Sequence, residues 1–289
     1  MPRVARISIA PVRGLGLEHP AEVDLTEVGV LEDRRFYLID DQGRHIDQLV
    51  SGALVQVKAH TDPDGTRLRM TFPDGTVIED AVELGEAIET TIVNRIAVGH
   101  VVLGPWGDAL EPFAGRRIRI VRCDRPGGTR VENAVSLITD GSLCELASRV
   151  GQPSVDGRRF RMLFELEGAE VHEEDSWLGG QIAVGEAVLS ITKPDARCAI
   201  TTQDPDTGAR DIDTLRTIIG YRGLRDGRKV DFGVLGEVAT PGRVHVGDAV
   251  SVIVPGDDTF KARRMRLRAA TEAEAAGAEA DELEATAKA

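Results

Sequence analysis

The chain has 289 residues, a net charge of −13, and 42% hydrophobic against 29% charged residues. That supplies apolar material for one large or two small soluble domains, and no run of about 18 apolar residues exists to form a transmembrane helix. The acidic balance excludes nucleic-acid binding as the main function, because phosphate recognition needs a basic face.

From Met1 to about Cys123, short apolar or alternating runs predict strands at Val4–Ile9, Arg35–Ile39, Ala53–Val57 and Arg67–Phe72. Turn signals separate them at Asp41-Gln42-Gly43, Asp62-Pro63-Asp64-Gly65 and Pro73-Asp74-Gly75, and Arg67 to Val77 reads as a hairpin. Such a series predicts a small barrel or sandwich. A Pro-Gly-Gly loop (Arg125 to Gly128) marks a boundary, so a second region runs from Asp124 to about 256. Asp140–Val150 predicts a helix, because Leu143, Leu146, Ala147 and Val150 share one face and Gly151 follows as a cap. Further strands are expected at Arg161–Leu166, Ala187–Thr192 and Ala249–Val254, a second helix at Ile212–Tyr221, and two short strands around a tight turn at 242–250. From Asp257 the tail is basic (Lys261, Arg263, Arg264, Arg266, Arg268), then Ala/Glu-rich to Ala289. It lacks a core-forming apolar set, so disorder is expected beyond Ala270. No apolar signal core opens the sequence, and a cytoplasmic location is expected.

The chemistry points to one loop. Ile191 to Thr192 is strand-like, Arg197-Cys198 follows, and Asp204-Pro205-Asp206-Thr207-Gly208 closes the segment. Pro205 disfavours a helical Asp204 and Gly208 suits a turn end, so the loop is rigid. An arginine beside Cys198 favours the thiolate, the form that binds metals and attacks electrophiles. Asp204 is a candidate to position water or move a proton, set against an Asx-type turn role. The other two cysteines, Cys123 and Cys144, are expected to pack, and no CxxC pair supports a zinc ribbon or redox motif. No two-histidine metal spacing and no nucleophile-elbow motif occurs.

This loop resembles the metal-binding cysteine loop of the MOSC family. The resemblance continues through Val135–Leu143, Val155–Arg161, Glu173–Glu186, and Asp231–Val234 with Val246–Asp248. The first region is similar to the β-barrel domain that precedes MOSC in amidoxime-reducing proteins, through Ile9–Leu15 and the Gly29-Val30-Leu31-Glu32-Asp33-Arg34 stretch. The resemblance implies a mainly β (α+β) fold: an N-terminal β-barrel domain (1–123), a β-barrel-like MOSC domain with a few short helices (124–256), and a tail (257–289). It implies a molybdenum cofactor (molybdopterin), with Cys198 as metal ligand and Arg13, Arg35, Ser136, Arg161 and Arg197 as cofactor-binding residues, and it carries an association with pyridoxal phosphate binding. It further implies two-electron reduction of N-oxygenated small molecules such as amidoximes and hydroxylamines. The chain has no GxGxxG fingerprint and too few cysteines for an iron–sulfur cluster. The electrons would therefore come from a separate reductase or small redox protein, with no membrane partner.

The chain departs from the family pattern in three places. Arg13-Gly14 stands where the family carries lysine-serine. His45-Ile46-Asp47-Gln48-Leu49 replaces a Thr-x-Arg pattern, so those site contacts are expected to be lost. Met162-Leu163 replaces Pro-Asn. Two other readings use the same fold: a sulfur-transfer protein carrying a persulfide on Cys198, and a non-catalytic ligand-binding module.

Overall fold

The computed structural model describes residues 1–130 and 133–257, so the tail expectation lies outside the described residues. The strands of the first half are β1 (Arg3–Ile7), β2 (Glu22–Leu25), β3 (Phe36–Asp40), β4 (His45–Ile46), β5 (Lys58–Thr61), β6 (Arg67–Thr71), β7 (Val77–Ala81), β8 (Glu83–Ile92) and β9 (Arg95–Leu103). Helix α1 (Trp106–Ala114) and β10 (Ile118–Cys123) complete that half. The second half holds β11 (Val135–Thr139), α2 (Asp140–Val150), β12 (Phe164–Glu167), β13 (Gln181–Val184), β14 (Ala187–Arg197), α3 (Thr214–Arg222), β15 (Val230–Thr240), β16 (Gly242–His245) and β17 (Val250–Val254). The fold is mainly β, as expected. Among the described residues, no helix is long and apolar enough to cross a membrane.

A seven-stranded sheet runs β1-β12-β11-β15-β14-β13-β17. Its ends approach each other through Val4 N–H to Asp248 O (2.9 Å) and Val250 N–H to Pro2 O (2.8 Å), which curls it into a barrel-like body. Ile7, Phe164, Leu189 and Val234 fill its interior. A five-stranded sheet, β4-β3-β10-β9-β8, and a three-stranded sheet, β5-β6-β7, enclose a separate core of Phe36, Leu38, Leu68, Met70 and Trp106. Burying each such large side chain stabilises by about 1.5–3 kcal/mol.

Strand β10 ends at Cys123, and the two halves on either side of it are threaded through one another. β1 pairs with β12, and β2 pairs with β16. Burial explains this: a register shift between Val4 and Arg6 lets both Val4 and Ile7 face the core, and Val23 and Leu25 alternate inward, so each short strand needs a sheet with an open edge, and the second half provides it.

Local structure corrects three sequence expectations. Ala53–Val57 is not a strand but a 3₁₀ turn (Gly52–Gln56) with Leu54 and Val55 buried. The expected strand at Arg161 begins only at Phe164, because Arg161 takes φ 53° at the end of a 3₁₀ turn, Gly157–Phe160. Arginine in the left-handed region cannot start a strand. The two short strands expected around 242–250 are present as β16 and β17, and their partners are β2 and β13. Cys144 is exposed on α2, whose buried face carries Ser142, Leu143, Leu146 and Ala147, so it does not pack, whereas Cys123 is buried. Helix α2 itself matches its expected bounds, with Thr139 Oγ1 accepting from Ser142 N–H at its start.

Candidate active site

A cleft of about 940 Å³, counting its open mouth, lies where the end of β14 meets the loops before β3 and after β4. Arg13, Arg34, Arg130, Arg161 and Arg197 line it, against Asp33, Asp47 and Asp195. In a chain of net charge −13, this local excess of cation suits an anion. Cys198 opens onto the same cleft with an exposed, free thiol.

The cysteine loop is held from several sides. Cys198 caps a 3₁₀ turn, Ala199–Thr202, and its carbonyl accepts from Thr201 N–H (3.2 Å) and Thr201 Oγ1 (3.1 Å). Arg197 pairs with Asp195, donates to Phe160 O, contacts Met162 Sδ at 3.3 Å, and lies 5.3 Å over the Phe160 ring. It therefore fixes the backbone beside Cys198, and Met162, a departure from the family pattern, takes part in that fixing. Gln203, 7% exposed, donates to Gln48 O at 2.8 Å across the two halves. Nearby, Gly52 and Gly208 meet backbone to backbone; a Cβ on either would overlap the other's carbonyl.

Arg161 crosses the interface. Its side chain donates to Leu15 O at 2.7 Å, and its carbonyl accepts from Arg34 at 3.3 Å. Burial first, and Arg34 second, push its pKa down to about 9. Burial and then Arg34 also pull Arg13 below its ordinary value, while Asp47 and Cys198 act in the opposite direction. Arg13 donates to Thr129 O at 3.1 Å, and its Nε is buried without an acceptor. For Asp33, burial would raise the pKa, but Arg34, Arg130 and the Ala10 N–H outweigh it and hold the carboxyl below its ordinary value. Ser136 lines the cleft and its Oγ accepts from Leu163 N–H at 2.9 Å. Arg34 (φ 56°) and Arg161 (φ 53°) are both held in the left-handed region, a strain that the surrounding hydrogen bonds sustain.

The structure thus brings Arg13, Ser136, Arg161, Arg197 and Cys198 to one cleft. It places two other candidates elsewhere. Arg35 lies on the far side, donating to Asp64 O at 3.2 Å, with Arg122 as the nearest cation acting on it. Asp204 lines an adjoining hollow of about 520 Å³ rather than the cleft. Its Oδ1 accepts from Asp206 N–H (3.1 Å), Thr207 N–H (2.8 Å) and Thr207 Oγ1 (2.8 Å), so it organises the turn. Burial would raise its pKa, but those bonds win and hold it below the usual carboxylate range.

Sequence reasoning missed Arg34, Arg130, Asp47 and Gln48. Arg34 had a signal, since it is the arginine of the Gly-x-x-x-Asp-Arg stretch. Arg130 had none: it is buried and spends its donors on Val28 O, Val30 O and Asp33. The 45–49 stretch was expected to lose its site contacts, yet Asp47 and Gln48 line the cleft.

The donor set suits a phosphate-bearing group, since mutually repelling guanidiniums and the orphaned Arg13 Nε gain partners from an anion. Among the described residues no cluster of three His, Cys, Asp or Glu is poised for a metal ion. Cys198 would then be one ligand of a metal whose other ligands arrive with the bound group. Among the described residues the cleft lining contains no lysine to serve pyridoxal phosphate as a Schiff-base partner.

A family model described as the MOSC domain matches residues 107–251, and one described as the MOSC N-terminal beta barrel domain matches residues 1–97. Mitochondrial amidoxime-reducing component 1 of Mus musculus is 33% identical over 86% of this chain and 82% of its own length. The Homo sapiens protein of that name is 25% identical over the same shares, 86% and 82%. Molybdenum cofactor sulfurase of Anopheles gambiae is 26% identical over 75% of this chain and 32% of its own length. Among solved structures, the YUAD protein from Bacillus subtilis gives a TM-score of 0.42 at 13% identity, over 87% of this chain and 96% of that one.

Proposed function

Since the chain belongs to the MOSC family and carries that family's N-terminal β-barrel domain, we propose that it is a molybdenum-cofactor-dependent oxidoreductase that reduces N-oxygenated small molecules. The observation that carries this reading is an exposed thiol, Cys198, sharing a cleft with Arg13, Arg34 and Arg161. A thiolate is a soft ligand suited to a redox metal, and the arginines supply charge-assisted donors for a phosphate. The names of the amidoxime-reducing relatives support the choice of substrate.

In this reading Arg161, Arg13 and Arg34 hold the cofactor's anionic part, Ser136 shapes the cleft wall, and Arg197 with Asp195 fixes the backbone beside the thiol. When bound, the cofactor supplies two-electron chemistry at molybdenum. Reduction of an N–OH group to N–H consumes two electrons and two protons and releases water. The electrons come from a separate reductase or small redox protein in a cytoplasmic setting. The acidic surface steers a partner with a basic patch, an attraction that weakens with salt.

The test is metal analysis of protein made in a host with intact molybdenum cofactor synthesis, followed by assay on amidoximes and hydroxylamines. Turnover with reduced viologen dye and none with NADH alone is the expected result. Molybdenum present with no turnover under either reductant would reject the reductase reading. Similarity to a molybdenum cofactor sulfurase favours the alternative of a persulfide on Cys198. Labile sulfane sulfur without molybdenum is the result that would select it.

A further inference from the structure

Two segments of the cleft wall touch each other. Gly14 holds φ at +93°, and a Cβ there would come 2.9 Å from Cα of Asp47. Only a bare backbone lets the turn at 47–48 approach this closely. The approach brings the Asp47 carboxylate to the cleft while leaving the residue 8% exposed. Its Oδ1 accepts the Leu49 N–H at 2.9 Å. Among the described residues its Oδ2 has no hydrogen bond, and the side-chain nitrogen within ion-pair reach, His45 Nδ1, stands 4.0 Å away. Arg13 and Arg161 respond to the Asp47 charge but form no ion pair with it. That oxygen is not sealed from solvent, so it is open to a charge-assisted hydrogen bond from a group outside the protein. Because the carboxylate lines the cleft, a bound group can supply that donor.

We infer that Asp47 is a specificity-determining residue, its Oδ2 accepting a hydrogen bond from an N–H on the group bound in the Cys198 cleft. The cleft then favours substrates whose N–OH carbon also bears –NH2. N-oxygenated groups without such an N–H present lone pairs to the carboxylate and are disfavoured. This rests on the reductase reading for its substrate, but its binding arm does not depend on turnover.

The experiment compares wild type with Asp47→Asn, which retains an oxygen for the Leu49 N–H while removing the charge. Asp47→Ser serves as a second variant, keeping a short acceptor if the first fails to fold. Calorimetry with benzamidine, which bears the N–H edge and cannot be reduced, is run on the loaded protein. Steady-state kinetics then compare benzamidoxime with N,N-dimethylbenzamidoxime, which differs by loss of the –NH2 donors. Losing one hydrogen bond to a charged group should weaken benzamidine binding by about tenfold or more. The wild-type preference for benzamidoxime, expressed in KM, should collapse in the variant. Unchanged benzamidine affinity, or no benzamidine binding by wild type, overturns the inference. An undiminished preference in the variant overturns it too and leaves the reductase reading standing. If molybdenum is loaded and neither substrate turns over, the reductase reading fails, and the calorimetric arm still decides the role of Asp47.

Discussion

The two walls of the cleft differ in what their charged side chains meet. The wall from the second half ties Arg197 to Asp195, Phe160 O and Met162 Sδ, although its Nε has no acceptor among the described residues, and holds the Cys198 carbonyl with Thr201. The wall from the first half leaves Arg13 Nε without an acceptor and Asp47 Oδ2 without a donor among the described residues. The first arrangement fixes the backbone that carries Cys198. The second leaves polar atoms that a bound group can meet. Positioning and reading are thus divided between the two halves of the chain.

The largest effect should come from the wall that carries Cys198. Cys198→Ser should fold normally and lose nearly all molybdenum, while Cys123→Ser and Cys144→Ser retain it. Equal metal in all three, measured by elemental analysis, would remove the division of labour at its root.

The next effect is on the reading wall, through pH. Burial first and Arg13 second push the His45 pKa down to about 4. An imidazole held neutral in the fold, while the unfolded chain takes up the proton near its ordinary pKa, makes stability fall as pH drops from about 6.5 toward 4. The loss should reach up to about 3 kcal/mol, with His45 mostly buried. Urea midpoints of His45→Gln should show a flatter pH profile over that window; an identical slope would place the titrating group elsewhere.

Arg161→Ala should lower pterin retained after gel filtration by roughly tenfold to a hundredfold in affinity, about 1.5–3 kcal/mol for a lost charged partner. Arg35→Ala should have the smallest effect, leaving pterin content unchanged, since its side chain faces Asp64 rather than the cleft. A loss in the second variant equal to that in the first would blur the two faces that the structure separates.

Periodicity made α2 readable to the residue, because Leu143, Leu146 and Ala147 form one apolar face between a threonine cap and a glycine stop. The β6–β7 hairpin was equally plain from its turn residues. What could not be read were features set by distant contacts. Ala53–Val57 looks like a strand locally, yet folds as a 3₁₀ turn where Gly52 meets Gly208. Arg34 and Arg35 are chemically identical neighbours, and only the left-handed backbone at Arg34 decides which faces the cleft. Cys198, Arg161, Arg13, Arg197 and Ser136, all singled out in the sequence, line one cleft. Asp204 was chemically plausible, but its oxygens are consumed by the turn that its own sequence encodes.

The threading of β1 and β2 into the far sheet sets an order of events during synthesis. Strand β1 is made well before its partner β12, and β2 waits for β16 near the end of the described chain. Until then both are unpaired edges on an incomplete nascent chain, a state prone to aggregation. These long-range pairings make folding slow relative to a chain of local contacts. The same arrangement means that a fragment begun at Asp124 would expose the edge of β12 to other chains. Such a fragment should be soluble only when a peptide spanning residues 1–25 is supplied in trans.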